Sequence, residues 1–416
     1  MLQTFYAHNH KPTARDIRRA NRLAVLHQLL AHGPMSRQEL SRRCDLSLAT
    51  VCNVIADLLN EGIVVESGLE ESQGGRPGMI LALNAGLGVV AGVDVAETYI
   101  HFELFDLALH RLGAFERHLS PDENQPEQIV GYLVTGLEAL LARSGVPASK
   151  LVGAGISVPG PFEHTRGVSV FAPNWGWRDV PLMDMLAEQI HVPLYLDNPL
   201  KFNVIAESWF GAGRGVQNLV ALVLGTGVGA GLVINGTLHR GISNSAGEWG
   251  HTTIVFGGRQ CRCGSRGCVE AYVGAPGIIL TLREFAPGSE ILTAGDQTAV
   301  IAALAEAARR GDAVAQQALR QTAEYLGAGI ANVINLLNPE MIVLGSWVGL
   351  EIGPLILADL ERAVERYALK PPLRTVRIVV GQALPNAVST GAGLLALDQF
   401  LAESGSGTNR RRRQSE

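Results

Sequence analysis

Four potential metal ligands stand in one short, glycine-rich stretch of this 416-residue chain. Their spacing is His-x9-Cys-x-Cys-x4-Cys, with glycines at positions 264 and 267. Three thiolates and one imidazole complete a tetrahedral zinc site and leave no position for a reactive water, so we expect a structural zinc ion. Free buried thiols are the alternative, but the glycines supply the tight turns that a chelating loop needs. The ligands are His251, Cys261, Cys263 and Cys268.

The whole chain has the composition of a multidomain globular protein. Hydrophobic residues make up 47% and charged residues 18%, which excludes the disordered and fibrous classes. No apolar run approaches the roughly 18 residues of a membrane span, and the N-terminal sequence has no signal-peptide hydrophobic region. We therefore expect a cytoplasmic protein with no membrane partner. Its 5 cysteines are too few for a disulfide scaffold.

Charge is divided unevenly along the chain. The net charge is −5, but the first 60 residues hold eight Lys and Arg against four Asp and Glu, so they carry +4 and the rest carries −9. A basic module on an acidic body suits a protein that contacts a polyanion with one end only. Residues 403–416, which contain four consecutive arginines, are expected to form a flexible basic tail.

Residues 1–84 have the pattern of a winged helix-turn-helix. Apolar residues at helical spacing predict a first helix over Ala14–Ala31, and a capping-box pattern at Ser36 and Glu39 precedes a second helix. A third helix, ending at Gly62, has apolar side chains on one face and small or polar side chains on the other. Two short strands with a polar loop between them predict the β-hairpin wing.

The polar face of the third helix is the predicted DNA-reading surface. Its small groups can approach base edges in a major groove, and an arginine at the wing tip can enter the minor groove. A three-helix protein-interaction module is the alternative, but DNA binding explains the basic charge, the small-residue face and the Gly-Gly-Arg-Pro wing tip together. The predicted contacts are Arg37, Ser47, Ala49, Thr50, Asn53 and Arg76.

From residue 88 to about 400, strand-like runs alternate with long helical stretches, which indicates an α/β architecture. Glycine-rich turns follow several strands, where α/β proteins place ligand sites. The predicted strands are Gly88–Val95, Leu151–Val158, Pro193–Leu196, Leu219–Leu224 and Met341–Leu344, and the predicted helices lie around 125–143, 199–210, 297–310 and 312–336.

Together these motifs resemble those of the ROK family (repressors, open reading frames, kinases). The resemblance spans nearly the whole chain, and the layout is similar to that of the family's xylose-, N-acetylglucosamine- and glucose-responsive repressors. It rests on the winged helix, the Gly-Arg-Pro wing tip, GTGVGAGLVINGTLHRG, AGEWGH and CRCGSRGCVE. It implies a two-lobed, actin-like sugar-kinase fold, zinc at the four ligands above, and dimers or tetramers on paired operator half-sites. The expected lobes are 88–198 with about 383–402, and 199–382 with the zinc loop.

The resemblance also implies a sugar pocket between the lobes. Asn198 matches the family's Asn-Asp pair, Glu248 and His251 match its Glu-x-Gly-His motif, and Glu270 matches its Gly-Cys-x-Glu motif. Carboxylates and amides suit a polyhydroxylated ring because they accept and donate several oriented hydrogen bonds. Taken alone, the two glutamates would be solvated surface groups; the adjacent zinc loop favours a site.

Departures from the family's kinase pattern argue against catalysis. In those kinases an Asp follows the Asn and acts as general base, but here Pro199 stands in its place and cannot accept a proton. Asp197 is two residues away, too far to take the same proton. The phosphate motif Asp-x-Gly-Gly-Thr is replaced by residues 94–98, where Glu97 would repel ATP, and Trp347 stands near the expected adenosine position.

The sequence thus predicts a DNA-binding transcriptional repressor of carbohydrate-metabolism genes that is not an enzyme. Its operator affinity would change when a sugar or sugar derivative binds in the degenerate kinase domain. The alternatives are an active ATP-dependent, zinc-containing sugar kinase and a repressor controlled by a transport-system protein. Because Pro199 removes a carboxylate from one end of the pocket, the expected effector is a sugar phosphate or a pentose.

Overall fold

The computed structural model describes residues 13–70, 78–120, 122–172, 175–382 and 386–404. The wing tip with Arg76 and the basic tail beyond residue 404 lie outside these ranges. None of the helices in these ranges combines the length and the apolar composition of a membrane span.

The N-terminal domain consists of three helices and a three-stranded sheet. Thr13 caps the first helix, since its Oγ1 accepts from the Asp16 N–H while the Asp16 carboxylate accepts from the Thr13 N–H at 2.9 Å. Gly33, at φ 78°, ends that helix one residue later than predicted. The elements are α1 (Ala14–His32), β1 (Met35–Ser36), α2 (Arg37–Cys44), α3 (Leu48–Asn60), β2 (Val64–Leu69) and β3 (Met79–Leu83), with sheet order β1-β3-β2.

The three helices pack on one apolar core, and a tight turn sets the angle between the last two. Asp45, in the left-handed region at φ 54°, joins α2 to α3. Ser36 Oγ accepts from the Glu39 N–H at 3.4 Å, but the Glu39 carboxylate bonds Arg43 instead of reaching back, so the predicted capping box is only half formed. The buried residues include Val25, Leu26, Leu29, Leu40, Val51, Ile55 and Leu58.

The first lobe is built on a five-stranded sheet with order β11-β7-β4-β5-β6. β11, β7 and β4 are parallel, and β5 and β6 add an antiparallel edge. The elements are β4 (Val89–Val95), β5 (Tyr99–Asp106), β6 (Arg111–His118), α4 (Pro126–Arg143), β7 (Leu151–Ser157), β8 (Phe162–Glu163), β9 (Val168–Ala172), β10 (Trp177–Val180), α5 (Leu182–Ala187) and β11 (Leu194–Asp197).

The second lobe has a sheet of order β14-β13-β12-β15-β16, in which β12, β15 and β16 are parallel. Helix α6 (Pro199–Trp209) leads into this lobe, and helix α13 (Ala387–Glu403) follows it. The elements between them are β12 (Leu219–Leu224), β13 (Val228–Ile234), β14 (Thr237–Leu238), α7 (Glu270–Val273), α8 (Ala275–Phe285), α9 (Gln297–Arg309), α10 (Ala313–Leu337), β15 (Met341–Gly345), α11 (Ser346–Tyr367), α12 (Lys370–Leu373) and β16 (Arg377–Val380).

Helices α6 and α13 form a layer between the two sheets. A Cβ on Gly92 of β4 would lie 1.9 Å from the Ser389 carbonyl oxygen, so glycine lets α13 rest directly on the sheet backbone. Gly391 of α13 approaches α6 in the same way, and a Cβ there would lie 2.0 Å from the Phe202 carbonyl oxygen. On its other side, α6 packs on β12 and β13. The layer therefore contacts both lobes at once.

Candidate functional site

His251 and three cysteines form a compact cluster in the second lobe. Their ligand atoms all lie within 4.8 Å of one another, with Cys261 Sγ 3.7 Å from His251 Nδ1 and Cys263 Sγ 3.8 Å from Cys268 Sγ. Tetrahedral zinc with Zn–S bonds of about 2.3 Å separates its ligand atoms by roughly 3.8 Å. Gly267, at φ 76°, makes the turn, and a Cβ there would lie 1.7 Å from a backbone carbonyl oxygen. The residues present therefore fit zinc.

Glu270 connects this cluster to the glycine loop that precedes β13. Its Oε2 accepts from the Val228 N–H at 3.0 Å, and its Oε1 lies 3.7 Å from Cys261 Sγ and 3.4 Å from Arg262 Nη2. The carboxylate is almost fully buried. A chelated loop would hold Glu270 in one orientation.

The other expected sugar contacts lie around the start of α6. Asn198 caps that helix, with its buried Oδ1 accepting from the Lys201 N–H at 3.3 Å. Glu248 faces Lys201, His251 and Glu270: burial raises the pKa of Glu248, and the charges of Lys201 and His251 oppose that rise. Glu248, His251 and Glu270 thus lie near one another, and Asn198 is linked to them through Lys201.

Both carboxylate oxygens of Asp197, at the end of β11, contact polar side chains. Its Oδ1 accepts from the Asn244 Nδ2 at 2.9 Å, its Oδ2 lies 3.2 Å from His164 Nε2, and the Arg240 guanidinium donates to Oδ2 as well. Burial alone would raise the pKa of Asp197, but the His164 and Asn244 hydrogen bonds and the Arg240 charge lower it to about 2. Pro199 occupies the first turn of α6, where its missing N–H costs nothing.

Lys201 is a buried lysine beside the predicted sugar contacts that the sequence analysis missed. It is 1% exposed, and its Nζ donates to the Ala246 carbonyl oxygen at 2.7 Å. Burial lowers the pKa of Lys201, while the charges of Asp197 and Glu248 oppose that shift. The available signal was a lysine in the otherwise apolar start of α6. His164, Arg240 and Asn244 were also missed, because they lie far from Asp197 along the chain.

Of the two carboxylates in residues 94–98, only Glu97 stands where the kinase motif has a glycine, whereas Asp94 matches the Asp of that motif. Burial raises the pKa of Asp94 to about 6, and Tyr99 donates to its carboxylate at 3.3 Å. Burial also raises the pKa of Glu97, and the charge of Arg262 opposes the rise. Arg262 belongs to the loop of the cysteine cluster, so Glu97 lies near that loop of the other lobe.

Trp347 lies against the retained glycine loop at residues 225–227. A Cβ on Gly225 would lie 3.0 Å from the indole Nε1. Trp347 follows β15 in the first turn of α11, so the indole occupies space beside the loop.

The exposed face of α3 presents most of the predicted DNA contacts. Ser47 caps the helix, its Oγ accepting from the Thr50 N–H at 3.1 Å, so these two side chains have a structural task as well. Ala49 and Asn53 are exposed, as are Leu48 and Cys52, which the sequence analysis did not include.

Arg37 and Arg76 are the remaining predicted DNA contacts. Arg37 begins α2, and its guanidinium lies 3.9 Å from a carboxylate oxygen of Glu66 on β2. Arg76 falls in the part of the wing that the structure does not describe.

The profile of the ROK family matches residues 90–399, well over half of the chain. This chain belongs to the ROK family. A second profile, winged helix-turn-helix DNA-binding, matches residues 18–65 of this ROK protein. The predicted fold class, an N-terminal winged helix-turn-helix followed by a two-lobed ROK domain, is confirmed.

Relatives of this ROK protein include repressors and kinases. The xylose repressor of Caldicellulosiruptor bescii is 30% identical over 390 residues, covering 93% of this chain and 97% of its own. The glucokinase of Halalkalibacterium halodurans is 35% identical over 284 residues, covering 67% of this chain and 86% of its own. The crystal structure of a ROK family transcriptional regulator, a homolog of the E. coli MLC protein, superposes with a TM-score of 0.78. It covers 93% of this chain and 97% of its own at 24% identity, and it supports the fold.

Proposed function

We propose that this protein is a transcriptional repressor whose affinity for operator DNA changes when a sugar binds between the lobes of its ROK domain. The observation that carries the proposal is the winged helix joined to a ROK domain over the same length as in a xylose repressor. The glucokinase relative matches only 67% of this chain. A DNA-binding domain joined to a sugar-kinase fold is the arrangement expected of a protein in which sugar binding regulates DNA binding.

We further propose that the ROK domain does not phosphorylate its ligand. A general base must reach the hydroxyl proton and be free to accept it. Pro199 cannot do so, and Asp197 has its carboxylate bonded to Arg240 and Asn244 with a pKa held near 2. Glu97 places a carboxylate where the phosphates of a nucleoside triphosphate would need backbone N–H groups.

The cysteine cluster is proposed to hold a structural zinc ion. Three thiolates and the His251 imidazole would fill all four positions, so the ion would supply folding energy and no reactive water. The residues of this chain then do the recognition. The loop that bears His251 and the cysteines keeps Glu270 against the Val228 N–H and places Glu248 opposite Lys201.

Asn198, Glu248, His251 and Glu270 are proposed to bind the sugar hydroxyls. Their amide, imidazole and carboxylate groups can donate to and accept from neighbouring hydroxyls of one ring. Pro199 takes the place of one carboxylate at this end of the pocket, where Arg240 is paired with Asp197 and Lys201 lies near the charges of Asp197 and Glu248. A pentose, which has no group to place there, or a sugar phosphate fits this end, and D-xylose is the first probe because of the xylose-repressor relative.

The repressor is proposed to act as a homodimer or homotetramer. Two winged helices on one assembly would contact paired half-sites about 34–36 Å apart or a multiple of that spacing. The charge division along the chain, basic through residue 60 and acidic beyond it, points the same end of each copy at DNA.

The test measures operator binding and catalysis in parallel. Operator DNA is obtained by selection from a random duplex library, and its affinity is measured by fluorescence anisotropy with and without D-xylose, D-glucose, N-acetylglucosamine and their phosphates. We expect one of these to change the affinity 5- to 150-fold, as a coupling of about 1–3 kcal/mol produces. No selected DNA, or a sugar-dependent ATP turnover near 1 s⁻¹ in a coupled assay, would overturn the proposal.

A further inference from the structure

Helix α6 runs from the sugar cleft to the DNA-binding domain. Asn198 caps its first turn and Lys201 donates into the loop that carries Glu248. Its last turn carries Trp209, whose ring packs on the N-terminal domain. The helix has 11 residues, a span of about 16 Å. One rigid element thus contacts both proposed sites.

At the DNA-binding end, α6 meets His27 of α1. The Trp209 and His27 rings are edge to face with centroids 5.3 Å apart. The His27 Nε2 lies 2.6 Å from Asp398 Oδ1 on α13, and both residues are 8% exposed. His27 therefore touches both helices of the middle layer at once, although Asp398 is 371 positions away along the chain.

Arg214 makes a second contact, in the loop after α6. Its guanidinium donates to the Ala31 carbonyl oxygen and lies 2.8 Å from His32 Nδ1, at the last turn of α1. The end of α1 is thereby tied to the chain that leaves α6.

The fold leaves room for α1 to change its packing at this junction. A cavity of about 330 Å³ lies between α1 and α2 on one side and α6 and β13 on the other. Gln28, Cys44, Ser208 and Trp209 are among its walls. An interface with free volume can adopt a second packing arrangement, whereas a close-packed core resists displacement.

We infer that α6, backed by α13, transmits occupation of the cleft to the winged helix, and that His27, Trp209 and Asp398 are the positioning residues that receive it. The inference rests on the proposed function and assigns its regulatory path. A ligand that bonds Asn198, or draws the Lys201 ammonium away from Ala246, displaces the first turn of α6. The helix carries that displacement to Trp209, and α1 repacks around His27 into the cavity.

The experiment compares how strongly D-xylose changes operator affinity in full-length variants. Asp398→Ala removes the partner of His27, and Trp209→Leu removes the ring contact. In both, we expect calorimetry to give a D-xylose affinity within about twofold of the parent, while the D-xylose effect on operator affinity falls to near onefold. Asp398→Asn keeps an oxygen that can accept from His27 and should retain most of the effect.

Ser389→Ala is the matched control. Ser389 is also buried on α13, and it donates to Glu103 Oε2 at 2.7 Å in the first lobe. It loses one buried hydrogen bond but leaves the His27 junction intact, so the D-xylose effect should persist. Circular dichroism checks that Asp398→Ala and Trp209→Leu are folded. If these folded variants kept the parental effect of D-xylose on operator affinity, as Ser389→Ala is expected to, the path would be wrong.

A second measurement separates this inference from the proposed function. If no sugar changes operator binding of the parent protein, the proposed function fails. The path is then tested without ligand, by hydrogen exchange in Lys201→Met. Altered exchange of the amides of α1 residues 23–32 supports it, and exchange equal to the parent there overturns it.

Discussion

Loss of one thiolate from the cysteine cluster should release zinc and loosen the second lobe. Cys263→Ser is the informative change, because Cys263 is the one exposed thiol among the three cysteines of the cluster and its replacement disturbs no buried packing. With His251 and Cys268 bound to one ion, the intervening chain is a closed loop of 18 residues. Releasing such a cross-link raises the entropy of the unfolded chain and so lowers the free energy of unfolding by about 3 kcal/mol.

That free energy translates into a measurable melting shift. For a cooperative unit of 150–250 residues, 1 kcal/mol corresponds to roughly 2–4 °C, so Tm of the second-lobe transition should fall by about 6–12 °C. Metal analysis by mass spectrometry should find about one zinc per parental chain and far less in Cys263→Ser. Scanning calorimetry on both proteins gives the shift.

Cys52→Ser is the matched control, since Cys52 is an exposed thiol on α3 outside the cluster. It should keep the parental zinc content and Tm. Carefully prepared parental protein without zinc would refute the metal site. The argument from loop closure would be refuted if Cys263→Ser kept its zinc, or if its Tm equalled that of Cys52→Ser.

Three other outcomes follow from the proposed roles. Arg76→Ala should weaken operator binding and reduce its salt dependence by about one unit of slope, whereas Thr50→Ala and Asn53→Ala should relax base preference with a smaller salt effect; anisotropy over a salt series checks this, and parental binding by all three would remove these residues from the interface. Glu248→Ala should abolish the sugar response while leaving sugar-free operator affinity unchanged, and a retained response in calorimetry and anisotropy would exclude Glu248 from the pocket. No hexose or pentose should be phosphorylated above background in a coupled ATP assay, because Pro199 replaces the base, and measurable turnover would favour a kinase.

Much of the fold follows from local patterns in the sequence. The strand Leu219–Leu224 has the predicted bounds, and the helix after residue 125 differs by one residue. Continuous apolar runs and capping residues act over a few positions, so they are readable without a structure. The edge strand β6 was missed because most of its side chains are exposed and it has no apolar alternation.

The site was only partly predictable for the opposite reason. Motif matching indicated Asn198, Glu248 and Glu270, because each belongs to a short motif of neighbouring residues that can be recognised in the sequence. The partners of Asp197 are 33 to 47 positions away, and Asp398 is 371 positions from His27. Such contacts arise from tertiary packing between separate elements, and no local pattern reports them.

The position of α13 has a consequence for how the protein is made. This helix covers β4 and β7 so closely that glycines at positions 92 and 155 meet its backbone, yet it begins at Ala387, long after β4 ends at Val95. On the ribosome, the winged helix can complete most of its own core early, but the first sheet keeps one apolar face uncovered until α13 has been synthesised. The core of the winged helix can therefore form before the helix that we propose couples it to the ROK domain.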